Sequence, residues 1–138
     1  MKMEKISNHI TYKEATYSPT AVNKAIQNIP NPIELECMRL VAELVFEPLR
    51  IWYAKPININ SFFRNEALNK AVGGVKTSQH RFGKAIDIDA GSIAENKKLF
   101  DYIKDNLDFD QVINEHNFSW IHISYNKGKN RKQVLAIK

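Results

Sequence analysis

Ser78-Gln79-His80-Arg81-Phe82-Gly83-Lys84-Ala85-Ile86-Asp87-Ile88-Asp89-Ala90 decides how the rest of this chain is read. From Lys84 onward the residues alternate. Ala85, Asp87 and Asp89 fall on one face of a strand, Ile86 and Ile88 on the other. The isoleucines can enter a core, which leaves the aspartates facing a cleft. His80 precedes Gly83 in a segment read as loop, and glycine permits the sharp turn that folds His80 back toward the start of the strand. A later stretch, Trp120-Ile121-His122-Ile123-Ser124-Tyr125, alternates in the same way. His122 shares a face with Trp120 and Ser124, while Ile121 and Ile123 face inward. A neighbouring antiparallel strand carrying His122 would stand it beside Asp87. Two imidazoles and one carboxylate make a ligand set for a catalytic zinc, in which three protein groups leave a fourth position open. Spacing alone is equally compatible with hydrogen-bonded histidines and a solvated aspartate.

Working outward, Ser18-Pro19 supplies an N-cap and a first-turn proline for a helix to about Asn28, and Asn31-Pro32 repeats the signal for a long helix to about Trp52. Ile33, Cys37, Leu40, Val41, Leu44, Val45 and Leu49 recur at helical spacing and are expected to form its buried stripe. Pro48 is expected to kink or loosen its last turn. Residues 1–17 read as irregular or partly extended, and 56–62 as a strand. Asn65 caps a short helix through Val72 that Gly73-Gly74 terminates. Ser92 and Glu95 have capping-box spacing for a helix from Ile93 to Asn106. Residues 110–115, 119–125 and 133–137 read as strands. The order, helices first and strands after, predicts an α+β fold with N-terminal helices packed on a mostly antiparallel sheet. Its length of 138 residues predicts one domain, 1–138.

Composition narrows the function. The single cysteine, Cys37, excludes an internal disulfide and a cysteine-rich zinc knuckle, and it reads as core. No run approaches the roughly 18 apolar residues of a membrane span, so no membrane insertion is expected. A net charge of +5 gives mild attraction to anionic surfaces such as a cell wall. No nucleic-acid-binding motif is present, and the basic cluster from Lys127 to Lys132 reads as a solvated turn, so no nucleic-acid partner is expected. Met1-Lys2-Met3-Glu4-Lys5 lacks the apolar region of a secretory signal. The chain is therefore expected to be made in the cytoplasm, and it is expected to be a monomer. A cell-wall substrate, which only the family resemblance described next implies, would be met on release, as by a phage or prophage lysis protein.

The pattern Ser-x-His-x-x-Gly-x-Ala-x-Asp followed by Trp-x-His resembles the zinc D-alanyl-D-alanine carboxypeptidase family. That family includes D,D-dipeptidases and phage L-alanyl-D-glutamate endolysins, and its wider group includes lysostaphin-type peptidases and the hedgehog signalling domain. The resemblance extends upstream through Ile59-Asn60-Ser61-Phe62-Phe63-Arg64, Leu68-Asn69 and Gly73-Gly74. Downstream it includes Asp110-Gln111-Val112-Ile113-Asn114-Glu115, similar to the small single-domain branch. It covers roughly residues 10 to 125. It implies a hedgehog-like α+β fold, Zn2+ as cofactor, His80, Asp87 and His122 as its ligands, and hydrolysis of peptidoglycan stem peptides at D-Ala-D-Ala or L-Ala-D-Glu bonds. Asp89, on the same strand face as Asp87, is the reserve ligand.

Peptide hydrolysis at zinc also needs a base for the attacking water and a cation or donor for the developing oxyanion. The resemblance places an arginine at Arg64, whose planar guanidinium suits a carboxylate or an oxyanion. Ser78 and Gln79 are placed to hydrogen-bond substrate backbone. Many relatives carry an acid three positions before the second histidine, where this chain has Ser119, which is no base at neutral pH. Glu115, at the end of the preceding strand, is the candidate base, with His116 as its rival. His9 has no motif around it and reads as structural or surface. The absent acid at 119 also keeps open a different class: a zinc-containing binding module without catalysis.

Overall fold

The computed structural model describes residues 4–138. Its elements are β1 (Lys5–Ser7), β2 (Ile10–Thr11), α1 (Tyr12–Thr16), α2 (Pro19–Asn23), α3 (Pro32–Val41), α4 (Glu47–Tyr53), β3 (Asn58–Ser61), α5 (Glu66–Ala71), β4 (Ala85–Asp89), α6 (Ile93–Asn106), β5 (Gln111–Glu115), β6 (Trp120–Ser124) and β7 (Gln133–Ile137). This is the expected α+β fold. The main sheet runs β3-β4-β6-β5-β7, antiparallel except for the β5–β7 pair. The first residues expected to be irregular, 1–3, lie outside the described part. From Lys5 on the segment is a two-stranded hairpin leading into α1.

One face of the sheet is apolar because the strands alternate. Ile86 and Ile88 of β4, Ile121 and Ile123 of β6 and Val112 of β5 are buried against Met38, Phe46 and Leu49 from the α3–α4 stretch and Leu99 and Ile103 from α6. Each such aliphatic side chain contributes roughly 1.5–3 kcal/mol on burial. The other face carries the polar alternates, Ser61, Asp87 and His122.

Two helical expectations change. The long helix does run through Tyr53, but Ala42–Phe46 is a π-turn, with the Glu47 N–H bonded to Ala42 O. Pro48 has no N–H to give and its ring would press on the carbonyl of Leu44, so the helix widens a turn before the proline. Of the expected stripe, Val41, Val45 and Leu49 are buried. The stripe is Glu34, Met38, Val41, Ala42, Val45, Phe46 and Leu49, whereas Ile33 is 77% exposed and Leu44 45%. Cys37 is only half-buried and lines a surface groove with Ile33 and Leu40. Glu34 takes the inward place because Arg81, beside His80, pairs with it.

The first helix is also short. Ser18 caps it as expected, but α2 ends at Asn23 and Ala25 turns left-handed, with φ of 52°. Asn28 is pulled out of helical register. Its Nδ2 donates to Thr16 O at 3.0 Å and to Phe63 O at 2.8 Å, and its Oδ1 accepts from Asn65 N at 2.7 Å. Three bonds from one buried amide outweigh one further turn of an exposed helix. They also anchor the segment that carries Arg64.

His9 is structural: its Nδ1 lies 2.6 Å from Glu47 Oε1, while Ser7 Oγ donates to Glu47 Oε2 at 2.6 Å. This pins the N-terminal hairpin to α4. No described helix is long and apolar enough to cross a membrane.

Candidate metal centre

The ladder brings the candidate ligands together. β4 and β6 pair antiparallel with Asp87 directly opposite His122, as the alternation of both stretches implies. His80 arrives from the other side. It lies in a 3-10 turn, Gln79–Phe82, which Gly83 closes in the left-handed region with φ of 75°. A Cβ on Gly83 would sit 2.5 Å from Glu34 O in α3. Gly83 is thus required both for the turn and for the close approach of α3. We expect Gly83→Ala to cost roughly 2–4 kcal/mol, combining the left-handed strain with overpacking. A urea unfolding midpoint unchanged from wild type would refute that.

His80, Asp87 and His122 each offer a ligand atom, and these atoms lie within 4.8 Å of one another. Asp87 Oδ1 is 3.2 Å from His80 Nε2 and 3.0 Å from His122 Nδ1. His80 Nδ1 is 2.8 Å from Phe62 O. A carbonyl only accepts, so Nδ1 carries the proton, and in the neutral ring Nε2 is a bare lone pair. Nε2 is buried and has no hydrogen-bond partner among the described residues. A buried lone pair aimed at a carboxylate oxygen is costly unless a cation sits between them. The donor set therefore fits zinc. Burial pushes the Asp87 carboxyl up, hydrogen bonding to His122 pulls it down, and the net shift is to well below the usual carboxylate range.

Asp89 is not part of this group. Its Oδ1 accepts from Gly91 N and from Nδ2 of buried Asn96, which also bonds Phe118 O. Asn96 of α6 holds the reserve aspartate away as a loop anchor.

Arg64 lies on the β3 side of the cluster. Its Nε reaches Ser61 Oγ at 3.4 Å, and Ser61 is the residue opposite Asp87. Nη1 donates to Asn69 Oδ1 at 3.2 Å, while Asn69 Nδ2 holds Val75 O. The backbone N–H of Arg64 donates to His80 O at 3.1 Å. A Cβ at Gly74 would fall 2.2 Å from Asn69 Oδ1 and 3.0 Å from Arg64 Nη1, which explains a glycine there. Burial lowers the guanidinium's pKa, and the charge of Asp87 raises it in part. Arg64 borders a depression of about 280 Å³ with Ser61 and Phe63 rather than the larger groove beside His122.

That larger groove, about 700 Å³, is lined by Ser78, Gln79, Asp110, His122, Lys129 and Arg131 among others. Ser78 and Gln79 thus line the same groove as His122. The pairing of Asp110 with Arg131 went unread in the sequence. Arg131, expected in a solvated turn, binds Asp110 through its backbone N–H, Nε and Nη2. The pairing of an acid at a strand start with an arginine 21 residues on leaves no local signal.

Glu115 pairs with Trp120 across the β5–β6 ladder, while Ile113 faces His122. It is on the same face as His122, on the diagonal, at a spacing of about 7–8 Å in a regular ladder. Its side chain makes no hydrogen bond among the described residues. Ser119 is unavailable as well as non-basic, since its Oγ donates to His116 O at 2.6 Å. His116 is exposed, in a left-handed turn, with its ring 4.9 Å from that of Trp120. Trp120 Nε1 is buried without a partner among the described residues.

A helix-backed sheet gathers on its polar face a His-Asp-His group, largely shielded from solvent and able to hold a metal ion, beside an open groove, as a metallopeptidase requires. Family comparison places the chain within that class: the peptidase M15 family matches residues 8–124, and the chain belongs to it. M15 peptidases are zinc-dependent. No curated protein matches the chain.

Proposed function

We propose that this protein is a zinc peptidase of peptidoglycan stem peptides, with His80, Asp87 and His122 as the metal ligands. The observation that carries the reading is the buried, unpartnered Nε2 of His80 facing Asp87 and His122. Zinc held there supplies a Lewis acid that polarises a peptide carbonyl and acidifies a water. The chain does the rest. Phe62 O fixes the His80 tautomer, and Asp87 supplies the one negative charge of the ligand set. Arg64, held by Ser61 and Asn69, binds the substrate carbonyl or carboxylate oxygen through paired N–H donors. Ser78 and Gln79 align the substrate backbone along the groove. The Glu115 carboxylate takes the proton of the attacking water and delivers it to the leaving amine nitrogen. The bonds proposed are D-Ala-D-Ala or L-Ala-D-Glu.

Incubation of the zinc-loaded protein with purified muropeptides, followed by mass spectrometry, tests this. Loss of a terminal D-Ala identifies the first bond, and separation of L-Ala from the remaining stem identifies the second. Intact muropeptides after long incubation would favour the zinc-containing binding module, for which the serine at 119 speaks.

Arg64→Lys keeps the charge but loses the paired donors. We expect unchanged zinc content and a fall in kcat/KM of about 10- to 100-fold, the range for a hydrogen bond to a charged group. Unchanged kinetics would remove Arg64 from the site.

A further inference from the structure

We propose that Asp110 is a positioning residue that fixes the polarity of Gln79, so that Gln79 presents a bare acceptor, Oε1, to a substrate N–H in the groove. The inference rests on the peptidase reading and adds a direction to it.

A glutamine amide has a donor end and an acceptor end, and nothing in the sequence says which end faces outward. Here Asp110 decides. Its side chain is 1% exposed, and both oxygens are engaged. Oδ1 accepts from Arg131 N at 3.0 Å and Arg131 Nε at 2.9 Å. Oδ2 accepts from Arg131 Nη2 at 2.8 Å and Gln79 Nε2 at 2.7 Å. A carboxylate held against a guanidinium has no proton to donate, so the Gln79 atom facing it must be the NH2 group. The flipped amide would set a carbonyl oxygen against a carboxylate oxygen, lone pair to lone pair. Oε1 is thereby left over. It accepts no hydrogen bond from any described residue, on a side chain that lines the groove with His122.

The backbone holds this acceptor in place relative to the metal centre. Gln79 O accepts from Lys84 N at 2.9 Å, and the next residue is His80, whose carbonyl accepts from Arg64 N. A peptide lying in the groove brings N–H donors, and Gln79 is built to accept one. Arg131 serves here as the counter-charge that keeps Asp110 ionised and seated.

The test uses the zinc-loaded full chain and a stem-peptide substrate whose amides, other than the one cut, are replaced one at a time by esters. An ester keeps the shape and removes the N–H. In the wild type, one ester position is expected to lower kcat/KM by about 10-fold or more. Gln79→Met keeps the length and removes the acceptor, so amide and ester should be cut equally at that position. Asp110→Asn can donate to Oε1 and lets the Gln79 amide turn, so the amide-to-ester ratio should fall there too. Gln79→Met added to Asp110→Asn should leave no further discrimination to lose, as expected for a residue acting through another. Zinc content and melting temperature report folding. Should Asp110→Asn not fold, the Gln79→Met comparison decides alone. The inference is overturned if Gln79→Met, or a folded Asp110→Asn, keeps the wild-type ratio at every position, or if the wild type cuts every ester as fast as its amide. A wild type that cuts no stem peptide fails the peptidase reading first, and this inference with it.

Discussion

Alanine in place of Asp87 or His122 is expected to reduce peptide cleavage to background. The two residues face each other across one rung of the β4–β6 ladder, and the atoms they offer lie 3.0 Å apart. Removing either leaves a two-ligand set in which the metal has neither the charge nor the geometry to stay. The loss should follow metal rather than fold, because both side chains stand on the polar face, away from the isoleucine core. Metal removal should also be visible in stability. Any ligand that binds only the folded state stabilises it, by on the order of 4 kcal/mol when its free concentration is a thousand times its dissociation constant. Chelation should therefore lower the melting temperature of the wild type and leave that of Asp87→Ala unmoved. Equal sensitivity of the two proteins to chelator would contradict the assignment.

Glu115→Gln is expected to keep zinc and fold yet lose about 10²–10⁴-fold in kcat, the range for a lost acid–base group. The substitution preserves size and the Glu115–Trp120 ladder pair while removing the proton acceptor. Placement supports the role: Glu115 shares the face of His122, its carboxylate is uncommitted, and the position three residues before His122 is a serine tied to His116 O. Near-wild-type turnover of the glutamine variant would exclude Glu115 and pass the question to His116, whose ring stands beside Trp120.

What the sequence disclosed of this site follows from which interactions are periodic. Alternation in 84–90 and 120–125 places Asp87 and His122 on one sheet face, and the ladder sets them in register. Gly83 announces the turn that returns His80. Alternation could not separate Asp87 from Asp89, because both share the same face. Asn96, on a helix with no motif of its own, makes that choice by bonding Asp89. In the long helix Val41, Val45 and Leu49 are buried as the period predicts, but Ile33 is exposed because Glu34, paired with Arg81, takes the inward place. From Ala42 on, the π-turn adds a residue that a fixed period of 3.6 does not count. The bonds made by Asn28, by Asn69 and within the Asp110–Arg131–Gln79 group could not be read from the sequence, for a common reason. Each of these side chains bonds to loops or to residues distant in sequence, and such bonds leave no repeat to read. They are also the groups that hold Arg64 and Gln79 in place, so the ligands were more legible than the residues that aim the substrate.

The ligand assignment is tested most directly by counting zinc in purified protein dialysed against a zinc buffer, using emission spectrometry on the wild type and on Asp87→Ala side by side. The account predicts one zinc per wild-type chain and close to none in the variant. A wild type without zinc, or a variant that retains a full equivalent, would contradict it.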